Sequence, residues 1–379
     1  MLKPLSSVLI KPAGPDCNLD CTYCFYLEKD ALFPTGKHRM SEATLKEMVR
    51  QIMQQAGSYV SFAWQGGEPT LMGLPFFEKA VAFQQMYGRN QSVGNGLQTN
   101  GTLIDDNWAA FFKKYNFLVG LSLDGPEHIH DKYRLLKGGQ GSWSKVQDTA
   151  RRLINSGVEV NALTVLNSYS AQFPEEIYTY HKSLNLTFMQ FIPCLEAEND
   201  DKSTPAPYSV TPEQYGSFLT KLFDLWLADF DGIRATSSIR FFDSVFHSYV
   251  GLAAPQCTLA HECGVYVVIE HNGDVYSCDF YVEPNWKLGN IKENKIVEML
   301  NSEKQTGFGK IKSVLPTECR TCQWRIRCRG GCPKDRTISR PDSELNYFCE
   351  SYKMFFSHAD AKLRTLAQAW KKEQATQKK

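Results

Sequence analysis

Twelve cysteines lie in this 379-residue chain, and eleven of them fall at spacings that suit metal chemistry. Cys17, Cys21 and Cys24 form a tight C-x3-C-x2-C run that encloses Tyr23. Eight more lie in the last third: Cys257, Cys263, Cys278, Cys319, Cys322, Cys328, Cys332 and Cys349. Three thiolates can hold a four-iron cluster and leave one iron open, whereas eight can fully ligate two further clusters at four each. An open iron lets a small molecule bind and react. A closed cluster only passes electrons or holds the fold. Three plus eight thus predicts one reaction centre and two auxiliary centres. Zinc and disulfides are the competing readings. A structural zinc site takes four protein ligands, and no histidine or fourth cysteine lies near Cys17–Cys24 in sequence. A disulfide there would leave an odd thiol. The pairs in Cys319–Cys332 are also zinc-like, so a zinc ribbon stays open for that segment. Cys194, the twelfth, reads as a buried structural thiol.

These groups need elements to position them, and up to about residue 230 strand-like runs alternate with helical patterns. Ser7–Lys11, Tyr59–Trp64, Gly94–Gln98, Leu118–Leu123, Val158–Val165 and Phe188–Ile192 read as strands. Helices are predicted from Ser41, over Phe76–Met86, Asp105–Tyr115, Ser142–Asn155 and Pro174–Ser183, and over Thr211–Phe230 with Thr211 as cap and Pro212 first in the helix. Six strand–helix units predict an α/β fold with parallel strands and right-handed crossovers, a partial (β/α)6 barrel with an open side. The cysteine loop, Gly66-Gly67-Glu68-Pro69, Thr99-Asn100-Gly101, Asp124-Gly125-Pro126 and Pro193-Cys194-Leu195 all follow strands. Reactive groups in parallel barrels gather at those ends.

After about residue 235 the alternation stops. Asn272-Gly273 marks a hairpin between Val265–Glu270 and Val275–Cys278. A cysteine-rich segment with little core follows, which needs metal to stay folded, and then a basic helical tail, Ala361–Lys379. Two domains are expected, 1–235 and 236–379. Forty-two basic and 41 acidic residues leave a net charge of +1, so no field favours nucleic acid or an anionic membrane. No run approaches the ~20 apolar residues of a membrane span, and the start lacks the apolar segment of a signal peptide. A cytoplasmic protein is expected, in which clustered thiols favour metal over disulfides.

The Cys17–Cys24 loop, with Tyr23 inside it and Gly66-Gly67-Glu68-Pro69 after the next strand, resembles the cluster loop of the radical S-adenosylmethionine superfamily. Cys263-x9-Gly273-x4-Cys278, then Cys319-x2-Cys322-x5-Cys328-x3-Cys332 and Cys349, resembles the SPASM domain of radical enzymes that modify peptides and proteins. From Ile10-Lys-Pro to Asn346-Tyr-Phe-Cys349 the chain looks like an anaerobic sulfatase-maturating enzyme. Phe62–Thr70, Leu97–Asp105, Val119–Pro126 and Cys278-Asp-Phe-Tyr281 also carry the likeness.

That resemblance implies three [4Fe-4S] clusters and S-adenosylmethionine as cofactors. It implies that Cys257, Cys263, Cys278 and Cys332 hold the first auxiliary cluster, and Cys319, Cys322, Cys328 and Cys349 the second. Tyr23, Gly67, Ser122, Arg134 and Leu195 would contact S-adenosylmethionine, and Asp279 would accept a proton. Four of these also have an ordinary reading: Ser122 as a turn cap, Arg134 as a surface ion pair, Leu195 as core, Asp279 as an orienting carboxylate. Tyr26 and Gln65 are candidates for the substrate pocket. The implied reaction oxidises a Cys or Ser of a sulfatase to Cα-formylglycine through a 5′-deoxyadenosyl radical. The implied partners are a sulfatase polypeptide carrying Cys/Ser-x-Pro/Ala-x-Arg and a flavodoxin- or ferredoxin-type reductant. A radical enzyme that crosslinks another peptide, for instance through a thioether, is the alternative. Such enzymes often carry a leader-binding domain, and the sixteen residues before Cys17 are too few for one.

Overall fold

The structure, a computed structural model, describes residues 2–198, 204–232, 234–338 and 344–377. Twelve strands are present among them: β1 (Ser7–Lys11), β2 (Leu19–Cys21), β3 (Tyr59–Trp64), β4 (Ser92–Thr99), β5 (Phe117–Ser122), β6 (Arg134–Leu136), β7 (Glu159–Leu166), β8 (Phe188–Pro193), β9 (Ser238–Ile239), β10 (Val267–Glu270), β11 (Asp274–Tyr276) and β12 (Lys287–Asn290). The chain divides into two compact units. The first comprises Met1–Leu123, Asp131–Val160 and Gly264–Lys310, and the second Asp124–His130, Asn161–Cys263 and Ile311–Lys379.

In the first unit the strand order is β12-β11-β10-β1-β3-β4-β5. β1, β3, β4 and β5 are parallel neighbours, as the strand–helix alternation requires. The helices between them start where the residues can cap them. Ser41 Oγ accepts from Thr44 N at 3.1 Å, and Asp105 Oδ1 accepts from Trp108 N at 3.0 Å. Behind Ser41, Thr44, Leu45, Met48, Val49 and Ile52 are all buried, the apolar stripe of a 3.6-residue period.

The hairpin β10–β11 brings a feature that periodicity did not indicate. β10 pairs in parallel with the free edge of β1, Val8 opposite Val267 and Lys11 opposite Glu270. An edge expected to be open is therefore covered, which removes a row of unpaired backbone groups. All four residues of β10 are buried, as befits a strand with neighbours on both sides.

In the second unit β8 lies between β7 and β9, pairing in parallel with each. The helix Pro212–Ala228 begins with a full capping box of Thr211 and Gln214, a device worth ~1 kcal/mol. It packs in the core with the helix Cys349–Gln377, which starts well before Ala361, the beginning expected of the tail. Their contact is aromatic, with Phe223 and Phe355 5.7 Å apart between ring centres, and Phe242 of the helix Arg240–Val250 stacks on Phe355 at 5.4 Å. Among the described residues no helix is long and apolar enough to cross a membrane.

Candidate active site

The loop holding Cys17, Cys21 and Cys24 leaves the carboxyl end of β1 and is fixed from two sides. On one side its own short strand β2 pairs with β6, which sets Cys21 opposite Arg134. Tyr23 and Arg134 are both buried, with the guanidinium carbon 5.4 Å from the Tyr23 ring centre. On the other side lies Gly66-Gly67-Glu68-Pro69. Gly67 N donates to Gly14 O at 2.8 Å and Glu68 N to Asp16 O at 2.7 Å. A Cβ on Gly67 would sit 2.0 Å from Asp16 O, a distance no side chain tolerates. Gly67 is thus demanded by the chain that leads into Cys17, apart from any ligand.

Glu68 extends this anchorage. It is completely buried and accepts from Thr70 N and Oγ1, Thr99 Oγ1 and Asn100 N, between 2.6 and 3.0 Å. Burial raises its carboxyl above the usual range, and these four donors oppose that. Asn100 then donates to Asn18 Oδ1 at 2.9 Å and lies 3.7 Å from Cys17 Sγ. One buried carboxylate joins the loops after β3 and β4, and through Asn100 reaches the cysteine loop. Burial, with the Glu68 charge second, pushes the Cys17 thiol up to about 11. A thiol in that state becomes a thiolate when a metal is there to bind it.

Asp279, beside Cys278, is held by two groups. Lys11 Nζ forms an ion pair with its Oδ1, and Gln65 Nε2 donates to its Oδ2 at 2.8 Å. Lys11 ends β1 and Gln65 follows β3, so both come from the carboxyl ends of adjacent strands. The Lys11 ammonium is buried, 3.3 Å from the Tyr26 ring centre, and the Tyr26 hydroxyl donates to Glu270 on β10. A lone buried ammonium costs several kcal/mol, so the neighbouring carboxylate and ring face are what make Lys11 tolerable there. The sequence assigns no role to Lys11 or Glu270, and marks Glu68 only as a member of the Gly66–Pro69 motif. Lys11 has a local sign, a cation at the end of an apolar strand; Glu270 has none without the β1–β10 pairing.

Ser122 is buried and its hydroxyl accepts from Gln98 Nε2 at 3.1 Å. Tyr23, Gly67, Ser122 and Arg134 all belong to the first unit, whereas Leu195 lies in the second. Leu195 is completely buried among that unit's core, and its carbonyl accepts from Lys334 Nζ at 2.7 Å.

Of the cysteines expected to hold the first auxiliary cluster, Cys278 belongs to the first unit and Cys257, Cys263 and Cys332 to the second. Cys319, Cys322, Cys328 and Cys349 line one cavity, with Trp324 and Tyr352 in its wall. Four thiols around one cavity match the donor set of a closed cluster, and none of the twelve cysteines is in a disulfide. Cys194 is buried, with its thiol pushed up to about 12 by its surroundings, chiefly by burial.

Comparison with known proteins agrees with these features. Residues 12–179 match the Radical SAM superfamily, and residues 261–323 match SPASM, an iron–sulfur cluster-binding domain. The chain is 41% identical to the serine-type anaerobic sulfatase-maturating enzyme of Bacteroides thetaiotaomicron, over 94% of this chain and 89% of that one. It is also 41% identical to the cysteine-type enzyme of Clostridium perfringens, over 96% and 99%. The structure superposes on that of native anSMEcpe with bound AdoMet and Cp18Cys peptide with a TM-score of 0.87 and 40% identity, covering 96% of this chain and 99% of that one. The chain belongs to the anaerobic sulfatase-maturating enzymes, a family of radical S-adenosylmethionine enzymes with a C-terminal SPASM domain.

Proposed function

We infer that this protein oxidises a Cys or Ser side chain of a sulfatase to Cα-formylglycine. The observation that carries the reading is the pairing of a three-thiol loop with a held carboxylate, Asp279, both tied to the carboxyl end of β1. When bound, the clusters and S-adenosylmethionine supply one-electron chemistry and removal of a Cβ hydrogen, which ordinary side-chain bases cannot perform at useful rate. Cys17, Cys21 and Cys24 would hold the cluster with the open iron. Tyr23, Gly67, Ser122, Arg134 and Leu195 would hold S-adenosylmethionine. Cys257, Cys263, Cys278 and Cys332 would ligate one auxiliary cluster, and Cys319, Cys322, Cys328 and Cys349 the other. In this division residues 1–235 carry the hydrogen removal and 236–379 the electron acceptance.

The chain's own task is the proton. To become an aldehyde or thioaldehyde the substrate loses, besides the hydrogen atom, one electron and the proton of its hydroxyl or thiol. Asp279 accepts that proton on its carboxylate. Lys11 and Gln65 fix the carboxylate's orientation. From serine the aldehyde is then complete; from cysteine water replaces sulfur and sulfide leaves. The substrate in this reading presents Cys/Ser-x-Pro/Ala-x-Arg. A flavodoxin- or ferredoxin-type protein supplies electrons, and the site of action is the cytoplasm, where thiols stay reduced. The test is anaerobic incubation of the reduced, reconstituted enzyme with such a peptide. Aldehyde trapped as a hydrazone is expected, and none from a peptide with Ala at the target. Recovery of a thioether or carbon–carbon crosslink overturns the reading.

A further inference from the structure

The second unit contains a lysine whose side chain does not reach solvent. Lys312 is completely buried, and its Nζ donates to Thr258 O at 2.8 Å, to Arg329 O at 3.5 Å and to Gly331 O. Each acceptor adjoins a cysteine: Thr258 follows Cys257, Arg329 follows Cys328, and Gly331 precedes Cys332. One ammonium therefore ties together segments that carry ligands of both auxiliary sites. Its hydrogen bonds among the described residues all go to neutral carbonyls, and none to a carboxylate. Three neutral acceptors return less than burial of a full charge takes away. The missing counter-charge is supplied if Cys257 and Cys332, which adjoin two of these acceptors, are thiolates on a cluster together with Cys263. Asp335 also acts on Lys312 electrostatically, but Lys312 donates no hydrogen bond to it.

We propose that Lys312 is a potential-setting residue: its buried ammonium is the counter-charge of the auxiliary site at Cys257, Cys263 and Cys332. Reduction adds a negative charge to a cluster. A fixed cation in a dry surrounding favours the reduced form and so raises the potential. A site so placed accepts the electron that leaves the substrate. The proposal rests on the assignment of these cysteines as cluster ligands.

The test is redox titration of the reconstituted full-length protein, followed by electron paramagnetic resonance, after iron has been counted. Lys312→Met removes the charge at similar length, Lys312→Gln keeps donors to the carbonyls without charge, and Lys312→Arg keeps the charge. With iron retained, Lys312→Met and Lys312→Gln are expected to lower one auxiliary potential by at least a tenfold change in the oxidised-to-reduced ratio, about 59 mV for one electron. Lys312→Arg is expected to stay nearer the wild type. Full iron with unchanged potentials in Lys312→Met and Lys312→Gln overturns the proposal and leaves the ligand assignment standing. If the neutral variants lose auxiliary iron while Lys312→Arg keeps it, the requirement for charge is met at assembly. Loss in all three assigns Lys312 to shape alone and overturns the proposal. Wild-type protein that assembles no auxiliary cluster overturns the ligand assignment and this inference with it.

Discussion

The two cysteine regions differ in what surrounds their sulfurs. In Cys17–Cys24 three thiols sit on a short loop pinned by backbone: β6 on one side, the Gly67 and Glu68 amides on the other. In the second unit Cys319, Cys322, Cys328 and Cys349 face one cavity from two short helices and the start of a long one. The first set offers three thiols held in a frame of backbone hydrogen bonds. The second offers four thiols around one cavity. Rigidity where a ligand must be oriented, and full ligation where only an electron passes, is the division of labour expected of one reactive and two auxiliary centres.

The largest effect should come from breaking the first region. Replacing Cys17, Cys21 and Cys24 together by Ala is expected to abolish reductive cleavage of S-adenosylmethionine. Iron should fall from about 12 to about 8 per chain, because the other eight cysteines are untouched. Continued formation of 5′-deoxyadenosine by the triple variant would move the reactive centre to the second region. Next comes Asp279→Asn, which keeps the shape and removes the charge. Clusters should assemble and 5′-deoxyadenosine should still form, while formylglycine falls by ~10²–10⁴, the usual loss on removing a general base. Undiminished formylglycine in that variant assigns the proton to another group.

The smallest effect concerns stability in the second unit. His181 is completely buried, with Nε2 2.9 Å from Thr164 Oγ1; burial lowers its pKa from 6.5 to about 4, with the Asp124 charge opposing. The folded state thus favours neutral imidazole. Its contribution to stability is complete above pH ~6.5, where the unfolded chain is also neutral, and is lost as pH falls toward ~4. Denaturant unfolding should show a slope of up to ~1.4 kcal/mol per pH unit across that window from this group. His181→Gln should reduce the slope, and an unchanged slope would exclude His181 as its source.

Much of the site was legible because its signals are local. Spacing alone marked Cys17–Cys24, and the strands β1 and β3 fell on the residues that periodicity indicated, since alternation and burial coincide there. What stayed hidden depends on non-local pairing. The alignment of Lys11 with Glu270 follows from β10 joining β1 across more than half the chain, and no local pattern encodes it. Glu68 reads as a loop residue in sequence; only the fold shows it as the buried acceptor joining the loops after β3 and β4. Lys312 carries no signal of its own in the sequence, and its burial against the carbonyls beside the cysteines emerges only in the fold.

The most direct measurement follows the hydrogen itself. A peptide with Cys or Ser at the target and deuterium at its Cβ should yield an aldehyde-bearing product together with 5′-deoxyadenosine that has gained one deuterium. Unlabelled 5′-deoxyadenosine formed alongside the aldehyde would contradict the account, because the hydrogen would then have left the substrate by another route.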